Sequence, residues 1–262
     1  MVLALRFHWR EYLCEGLGLG TFMVSACLFA ALLEYPASAV HLAIPDPRLR
    51  RVLMGVAMGA TAIGIIYSPW GRRSGAHINP AVTLTYYRLG RVPLRDACFY
   101  AIAQFAGGTA GVLVSLWIAP RAVMHPSVNY VVTVPGAAGA TVAAVAELAI
   151  SFGLMLVVLN VSGSSRSAPY TGLVAGAMVA IYIALEAPYS GMSMNPARTA
   201  ASAAVARVWT AWWIYFVVPP IAMLLAAEVH LRARGWARVG CAKLHHDNRI
   251  RCIFCGTAQD GK

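Results

Sequence analysis

The stretches SGAHINPAVT (residues 74–83) and SGMSMNPART (residues 190–199) decide the fold of this chain. Both contain the same tripeptide, Asn79-Pro80-Ala81 in the first and Asn195-Pro196-Ala197 in the second, and both carry Ser-Gly shortly before it. Asparagine caps helices well and proline suits the first helical position, so each motif predicts the start of a helix. The second asparagine follows the first by 116 residues in a chain of 262, which indicates an internal duplication.

The composition around these motifs is that of a membrane protein. Apolar residues make up 59% of the chain and charged residues 12%, with a mean hydropathy of +0.64, whereas a soluble domain carries about 25% charged residues. Six apolar runs approach the roughly 20 residues needed to cross a bilayer; they cover about 12–33, 52–67, 97–119, 141–161, 172–187 and 209–231. Two shorter runs, about 79–87 and 195–206, follow the second and fifth. We predict an all-α membrane protein with six transmembrane helices and two re-entrant half-helices.

Three crossings in each half mean that the second half enters the membrane inverted with respect to the first. Repeat one then covers about 11–119 and repeat two about 141–231 of a membrane domain at 1–232, and a basic Cys/His-containing tail follows at 233–262. With both termini in the cytoplasm, 15 of the 21 lysines and arginines lie on the cytoplasmic side, five lie outside, and Arg198 belongs to the second half-helix. This bias agrees with the positive-inside rule. The short loops favour a bacterial inner membrane.

Other function classes leave no pattern in this sequence. There is no phosphate-binding glycine loop or catalytic motif, so we do not expect an enzyme or an energy-coupled pump. The formal charge of +11 is not concentrated in a basic stretch interleaved with aromatic residues, which argues against a nucleic-acid partner.

The six runs, the paired motifs and the arginine directly after the second motif resemble the aquaporin (major intrinsic protein) family, over about 11–232. Glu15 and Glu147 early in the first and fourth runs, Gln104 in the third and His77 before Asn79 also match. The resemblance implies a six-helix bundle in which the half-helices meet in mid-membrane. It also implies a homotetramer in the lipid bilayer, with one pore for water and small neutral solutes in each protomer and no required cofactor.

The chemistry of such a pore follows from the half-helices. Each points its N-terminus, with free N–H groups and the positive end of its dipole, at the middle of the bilayer. Protons and cations are repelled there and by Arg198, while Asn79 and Asn195 can donate hydrogen bonds to a neutral permeant. The resemblance implies that Glu15 and Glu147 accept hydrogen bonds from the chain that enters each half-helix. Proton relay through these two carboxylates, as in a proton-coupled small-solute transporter, is the alternative.

Counted from the motifs, the positions of the family's selectivity constriction fall at Gly59, Ile183, Met192 and Arg198. Strict water channels typically have phenylalanine and histidine at the first two. Glycine and isoleucine predict a wider, more apolar neck that admits glycerol, ammonia or metalloid hydroxides, unless Met192 refills the gap. Thr199 and Ala203, in contrast, depart from the acidic and basic residues usual in glycerol facilitators.

The tail contains Cys241, His245, His246, Cys252 and Cys255 within 15 residues. Thiolate and imidazole are the ligands that structural zinc prefers, and four of them complete a tetrahedral site. We predict a zinc site with the ligands Cys241, His245, Cys252 and Cys255. A flexible basic tail that touches anionic lipid is the alternative.

Overall fold

The computed structural model describes residues 2–236, 239–246 and 251–256, and these form helices and connections without a strand. In chain order the α-helices are α1 (Val2–Glu34), α2 (Ala39–Ala43), α3 (Pro47–Tyr67), α4 (Pro69–Ser74), α5 (Pro80–Arg88), α6 (Leu94–Ile118), α7 (Pro120–Val123), α8 (Gly139–Ser162), α9 (Thr171–Ser190), α10 (Pro196–Ala206) and α11 (Trp212–Arg234). Within the described part, six of these, namely α1, α3, α6, α8, α9 and α11, are long and apolar enough to cross a membrane. The predicted fold class is confirmed. Arg238, Arg249 and Lys262, which entered the charge count, lie outside the described residues.

Small residues let the long helices approach closely. A Cβ placed on Gly16 or Gly20 of α1 would lie 2.9 Å from a carbonyl oxygen of α6. A Cβ on Gly59 of α3 would lie 2.5 Å from the carbonyl oxygen of Gly176 on α9. Without a hydrophobic force between helices in lipid, such close backbone contact is a main source of helix association. The glycines therefore pair α1 with α6 and α3 with α9.

The half-helices α5 and α10 begin at their asparagines, as predicted. The Asn79 side-chain oxygen accepts a hydrogen bond from the N–H of Ala81 at 2.9 Å. The Asn195 side-chain oxygen accepts from the N–H groups of Ala197 at 3.0 Å and Arg198 at 3.2 Å. Proline at the first helical position has no N–H to leave unsatisfied. Both half-helices therefore start with capped ends.

The two ends of the bundle are distinguished by the C-terminal tail. We call the end where α11 finishes the tail side; there Arg88 at the end of α5 pairs with Glu228 of α11 at 2.6 Å. The other end is marked by a pair between Glu34 of α1 and Arg50 of α3 at 3.1 Å. α5 thus runs toward the tail side from its cap at Asn79.

Candidate functional site

The two capping asparagines are joined through the main chain of the opposite repeat. The Asn79 amide donates to the carbonyl of Met194 at 2.7 Å, and the Asn195 amide donates to the carbonyl of Ile78 at 2.8 Å. Since the oxygen of each amide is already used as a cap, one of its two N–H donors remains for another partner. The half-helices are thereby fixed tip to tip by a reciprocal pair of hydrogen bonds.

The segments that lead into the half-helices have an unusual backbone. Ala76 and Ile78 have φ values of 54° and 41°, and Met192 and Met194 have φ values of 50° and 53°. This left-handed region is unfavourable for residues with a Cβ, above all for β-branched isoleucine, and costs on the order of 1–3 kcal/mol for each residue. Both segments therefore need strong contacts to hold them in place.

Glu15 supplies these contacts in the first repeat. Its carboxylate accepts hydrogen bonds from the N–H of His77 at 3.0 Å, the N–H of Ile78 at 2.6 Å and the side-chain amide of Gln104 at 2.8 Å. The Glu15 side chain is fully buried on α1. Because charge-assisted bonds are roughly twice as strong as neutral ones, three of them offset much of the cost of burying the carboxylate.

Glu147 on α8 does the same in the second repeat. It accepts from the N–H of Ser193 at 2.6 Å, the N–H of Met194 at 2.7 Å and the hydroxyl of Ser190 at 2.8 Å. Glu147 is also fully buried. Each repeat thus has a buried carboxylate that holds the segment leading into its half-helix.

His77 connects the first half-helix with more distant parts of the chain. Its Nδ1 lies 3.1 Å from the hydroxyl of Thr83 on α5, and its Nε2 lies 2.7 Å from the carbonyl oxygen of Ala242 in the tail. The ring stacks on Tyr86 with a centroid distance of 5.1 Å. All of these contacts fix His77 as part of the scaffold around α5.

A cavity of about 440 Å³ runs past the tips of both half-helices. On α3 its lining residues recur every three or four positions and form one stripe: Pro47, Arg51, Met54, Met58, Ala62 and Ile66. This stripe is about 28 Å long at 1.5 Å per residue. The segments around Asn79 and Asn195 and apolar side chains of α8 and α9 complete the lining. The cavity is therefore long and mostly apolar, with both asparagines in its lining.

Residues 3–230 match the family model described as Major intrinsic protein. The chain belongs to the major intrinsic protein family. Aquaporin NIP1-4 of Oryza sativa subsp. japonica is 38% identical over 168 residues, which cover 63% of this chain and 59% of that protein. Aquaporin NIP2-2 of Zea mays is 36% identical over 188 residues, which cover 71% of this chain and 62% of that protein. The chain thus spans about three fifths of the length of these curated relatives.

A solved structure of the aquaglyceroporin from Plasmodium falciparum has the same architecture. It superposes with a TM-score of 0.70 over 85% of this chain and 95% of its own, at 18% sequence identity. At this identity the likeness concerns the fold, and it agrees with the six helices and two half-helices of the major intrinsic protein family.

Three of the four residues at the family's constriction positions lie along the cavity. Ile183, Met192 and Arg198 line it, and the Arg198 guanidinium donates to the carbonyl of Val131 at 2.7 Å. Gly59 does not line it, because that side of α3 packs against the backbone of α9. Met58, the preceding residue, faces the cavity in its place. On α3 the cavity is therefore lined by a methionine and not by the expected glycine.

A second repeated contact, made by two tyrosines that the sequence analysis did not assign to it, supports the half-helices. Tyr100 on α6 and Tyr215 on α11 each donate a hydrogen bond at 2.7 Å, to the carbonyls of Ser74 and Ser190 respectively. The hydroxyls of these two serines accept from main-chain N–H groups two residues on, at 3.2 and 3.1 Å. The tyrosines are 115 residues apart, close to the offset between the motifs, so the repeat length itself was the signal that identifies them.

The tail brings four metal-ligating atoms together. Cys241, His246, Cys252 and Cys255 each offer one, and these lie within 4.8 Å of one another. The predicted ligand His245 is not among them, because its ring packs edge-on against Tyr67 of α3 at 4.7 Å. His246, the next residue, takes its place, with its Nε2 3.1 Å from the Cys255 sulfur. The ligand prediction was thus one residue off.

The thiols in this cluster are suited to metal binding. The sulfur atoms of Cys241 and Cys252 are 3.5 Å apart, well beyond the length of a disulfide bond. The hydrogen bond from Cys241 lowers the pKa of Cys252 below its usual value, aided by the N–H groups of Cys255 and Phe254 and opposed by burial. This favours the thiolate, which is the form of cysteine that binds metals.

Proposed function

We propose that this protein is a passive transmembrane channel for water and small uncharged solutes. The observation that carries the proposal is the reciprocal pair of hydrogen bonds, from the Asn79 amide to the Met194 carbonyl and from the Asn195 amide to the Ile78 carbonyl, beside a cavity that α3 lines over about 28 Å. Each amide retains one donor, so a water molecule between them can accept two hydrogen bonds. Its own hydrogens then point away from its neighbours, which interrupts the relay of protons along a file of water.

Ions are excluded by the charges around the cavity. Two helix N-termini, each equivalent to roughly half a positive charge, meet at the asparagines. Arg198 adds a full positive charge to the lining. The apolar side chains of α8 and α9 in the lining offer no oxygens to replace the hydration shell of a cation. Neutral molecules that form a few hydrogen bonds avoid most of this barrier.

The neck favours small solutes besides water. Met58, Ile183 and Met192 line the cavity with flexible or apolar side chains instead of a rigid aromatic ring and a histidine. Methionine adapts its shape readily, so we infer that glycerol, ammonia or metalloid hydroxides pass. Replacement of Met192 by alanine widens the neck and should raise glycerol uptake into proteoliposomes more than water flux. The same change at the exposed Met124 is the control.

Stopped-flow light scattering of proteoliposomes tests the channel itself. We expect water permeability well above that of protein-free vesicles, no effect of an imposed pH gradient, and no saturation with solute. Saturable uptake driven by the pH gradient would instead support the proton-coupled transporter. We favour the channel because the carboxylates of Glu15 and Glu147 each accept three hydrogen bonds, and most of these bonds hold the segments that lead into the half-helices.

For the assembly we infer a homotetramer with a pore in each protomer and both termini in the cytoplasm, so that the tail side is the cytoplasmic side. The family resemblance supports the tetramer, and the excess of lysine and arginine on that side supports the orientation. Exposed apolar side chains such as Trp117 and Ile102 on α6 would be covered by lipid or by a neighbouring protomer. The relatives reported above are plant proteins, and a bacterial inner membrane stays a prediction from the short loops. Mass measurement in nanodiscs tests the tetramer.

We also propose that the tail cluster binds one zinc ion through Cys241, His246, Cys252 and Cys255. Zn–S bonds of about 2.3 Å in a tetrahedron separate two sulfurs by about 3.8 Å. The Cys241–Cys252 distance of 3.5 Å supports such a site. Metal analysis of the purified protein should find about one zinc per chain, and the Cys252→Ser variant should lose it.

A further inference from the structure

The tail is packed onto the mouth of the cavity on the tail side. The N–H of Leu244 donates to the carbonyl of Gly75 at 3.1 Å, and the Lys243 ammonium donates to the carbonyl of Arg72 at 2.9 Å. The carbonyl of Ala242 accepts a hydrogen bond from the Nε2 of His77 at 2.7 Å, as described above. These three consecutive residues therefore lie along the segment that leads into the first half-helix.

Leu244 is the member of this segment that reaches the cavity. Its side chain is buried and forms part of the cavity lining. Two other lining residues are Ile66, near the tail-side end of α3, and Ala76, in the segment that leads into α5. At this place the leucine presents an apolar side chain to the cavity. An apolar constriction of this kind stops flow by excluding water from the narrowest point.

Of the four metal-ligating residues, one precedes Leu244 in the sequence and three follow it. Cys241 comes directly before Ala242, and His246 comes two residues after Leu244. Phe254, next to Cys255, stacks on His77 with a centroid distance of 6.0 Å and an interplanar angle of 6°. The described residues from 239 onward contain no helix or strand. Their shape therefore depends on contacts with the bundle and within the tail, to which a metal ion at the cluster would add its four bonds.

We propose that the metal-bound tail is a plug that restricts the pore and that loss of zinc releases it. This inference rests on the proposed channel and on the proposed zinc site. With zinc bound, the loop from Cys241 to His246 is closed and holds Leu244 in the mouth. Without zinc, the loop loses its fixed shape and Leu244 leaves the mouth. The metal content of the compartment on the tail side then sets the fraction of open channels.

The test compares water permeability per channel in proteoliposomes of the full chain and three variants. Leu244→Ala removes the obstacle but leaves all four ligands, so it should conduct at least about threefold faster with an unchanged zinc content. Cys252→Ser should conduct faster by a similar factor and lose the zinc. Leu42→Ala, a leucine that is 68% exposed at the opposite end of the bundle, should match the parent in both respects. A zinc chelator should accelerate the parent and leave Leu244→Ala almost unchanged.

The outcomes separate the plug from the proposals beneath it. The plug is overturned if Leu244→Ala conducts no faster than the parent, or if Cys252→Ser loses zinc without conducting faster. A parent that contains no metal overturns the zinc site. If neither the parent nor any variant exceeds protein-free vesicles, the channel proposal fails, and the plug fails with it. Melting temperatures of all forms in detergent show whether a variant has lost its fold.

Discussion

Replacement of Glu147 by glutamine tests how the second half-helix is held in place. The carboxylate accepts three hydrogen bonds, two of them from the N–H groups of Ser193 and Met194. Glutamine has one oxygen and presents an NH₂ group at the other position, so one buried N–H loses its acceptor. That loss costs about 1–3 kcal/mol, and the remaining bonds weaken because their acceptor is no longer charged.

The expected net change is about 2 kcal/mol, because glutamine also relieves the cost of burying a charge. For a protein of this size, that corresponds to a melting temperature lower by about 4–8 °C. Thermal unfolding in detergent, followed by tryptophan fluorescence, measures it. Glu228→Gln is the matched control, since Glu228 pairs with Arg88 at the surface and such pairs contribute at most about 1 kcal/mol.

Two results would refute this reasoning. A melting temperature of Glu147→Gln equal to or above that of the parent would mean that the carboxylate does not hold the segment. If the parent shows uptake driven by a pH gradient and the variant loses it, Glu147 would be a proton relay. We expect instead that the variant conducts less water at every pH, in proportion to the loss of ordered channels.

Two further variants probe the helix packing and the charge of the pore. Gly107→Ala on α6 places a methyl group against the backbone of α1, so we expect a loss of about 1–3 kcal/mol in stability; Gly64→Ala, where a Cβ meets no atom within 4 Å, should melt like the parent. Arg198→Ala removes the partly buried charge in the cavity lining, so proton or sodium leakage into proteoliposomes should rise measurably. Arg121→Ala, at an exposed position, should leave ion leakage at the level of the parent, and equal leakage in Arg198→Ala would show that the helix tips suffice for ion exclusion.

The sequence was enough to identify those parts of the site that are fixed by local chemistry and repetition. Asn79 and Asn195 cap helices through contacts within three residues, so the motif itself predicts their geometry. Glu15 and Glu147 stood out because a carboxylate in an apolar run is costly, and the family resemblance implied that they accept hydrogen bonds from the chain entering each half-helix. The structure adds the particular donors, which are main-chain N–H groups that no sequence pattern names.

The sequence was not enough wherever the result depends on the rotation of a helix or the path of a loop. Gly59 was expected at the neck from its distance to Asn79, yet α3 turns its glycine face toward α9 because close backbone contact stabilises that pair. His245 and His246 are adjacent, and only the direction of the backbone decides which one meets the cysteines. The position of Leu244 in the cavity follows from long-range contacts of the tail.

The hydrogen bonds from Asn79 to Met194 and from Asn195 to Ile78 have a consequence for biosynthesis. When a ribosome has released only the first repeat, the Asn79 amide has no Met194 carbonyl to meet, and its half-helix has no opposing tip. A mutual lock of this kind closes only after both inverted halves have entered the bilayer. The first half-helix therefore reaches its final hydrogen bonding only after the second repeat has been synthesised and inserted.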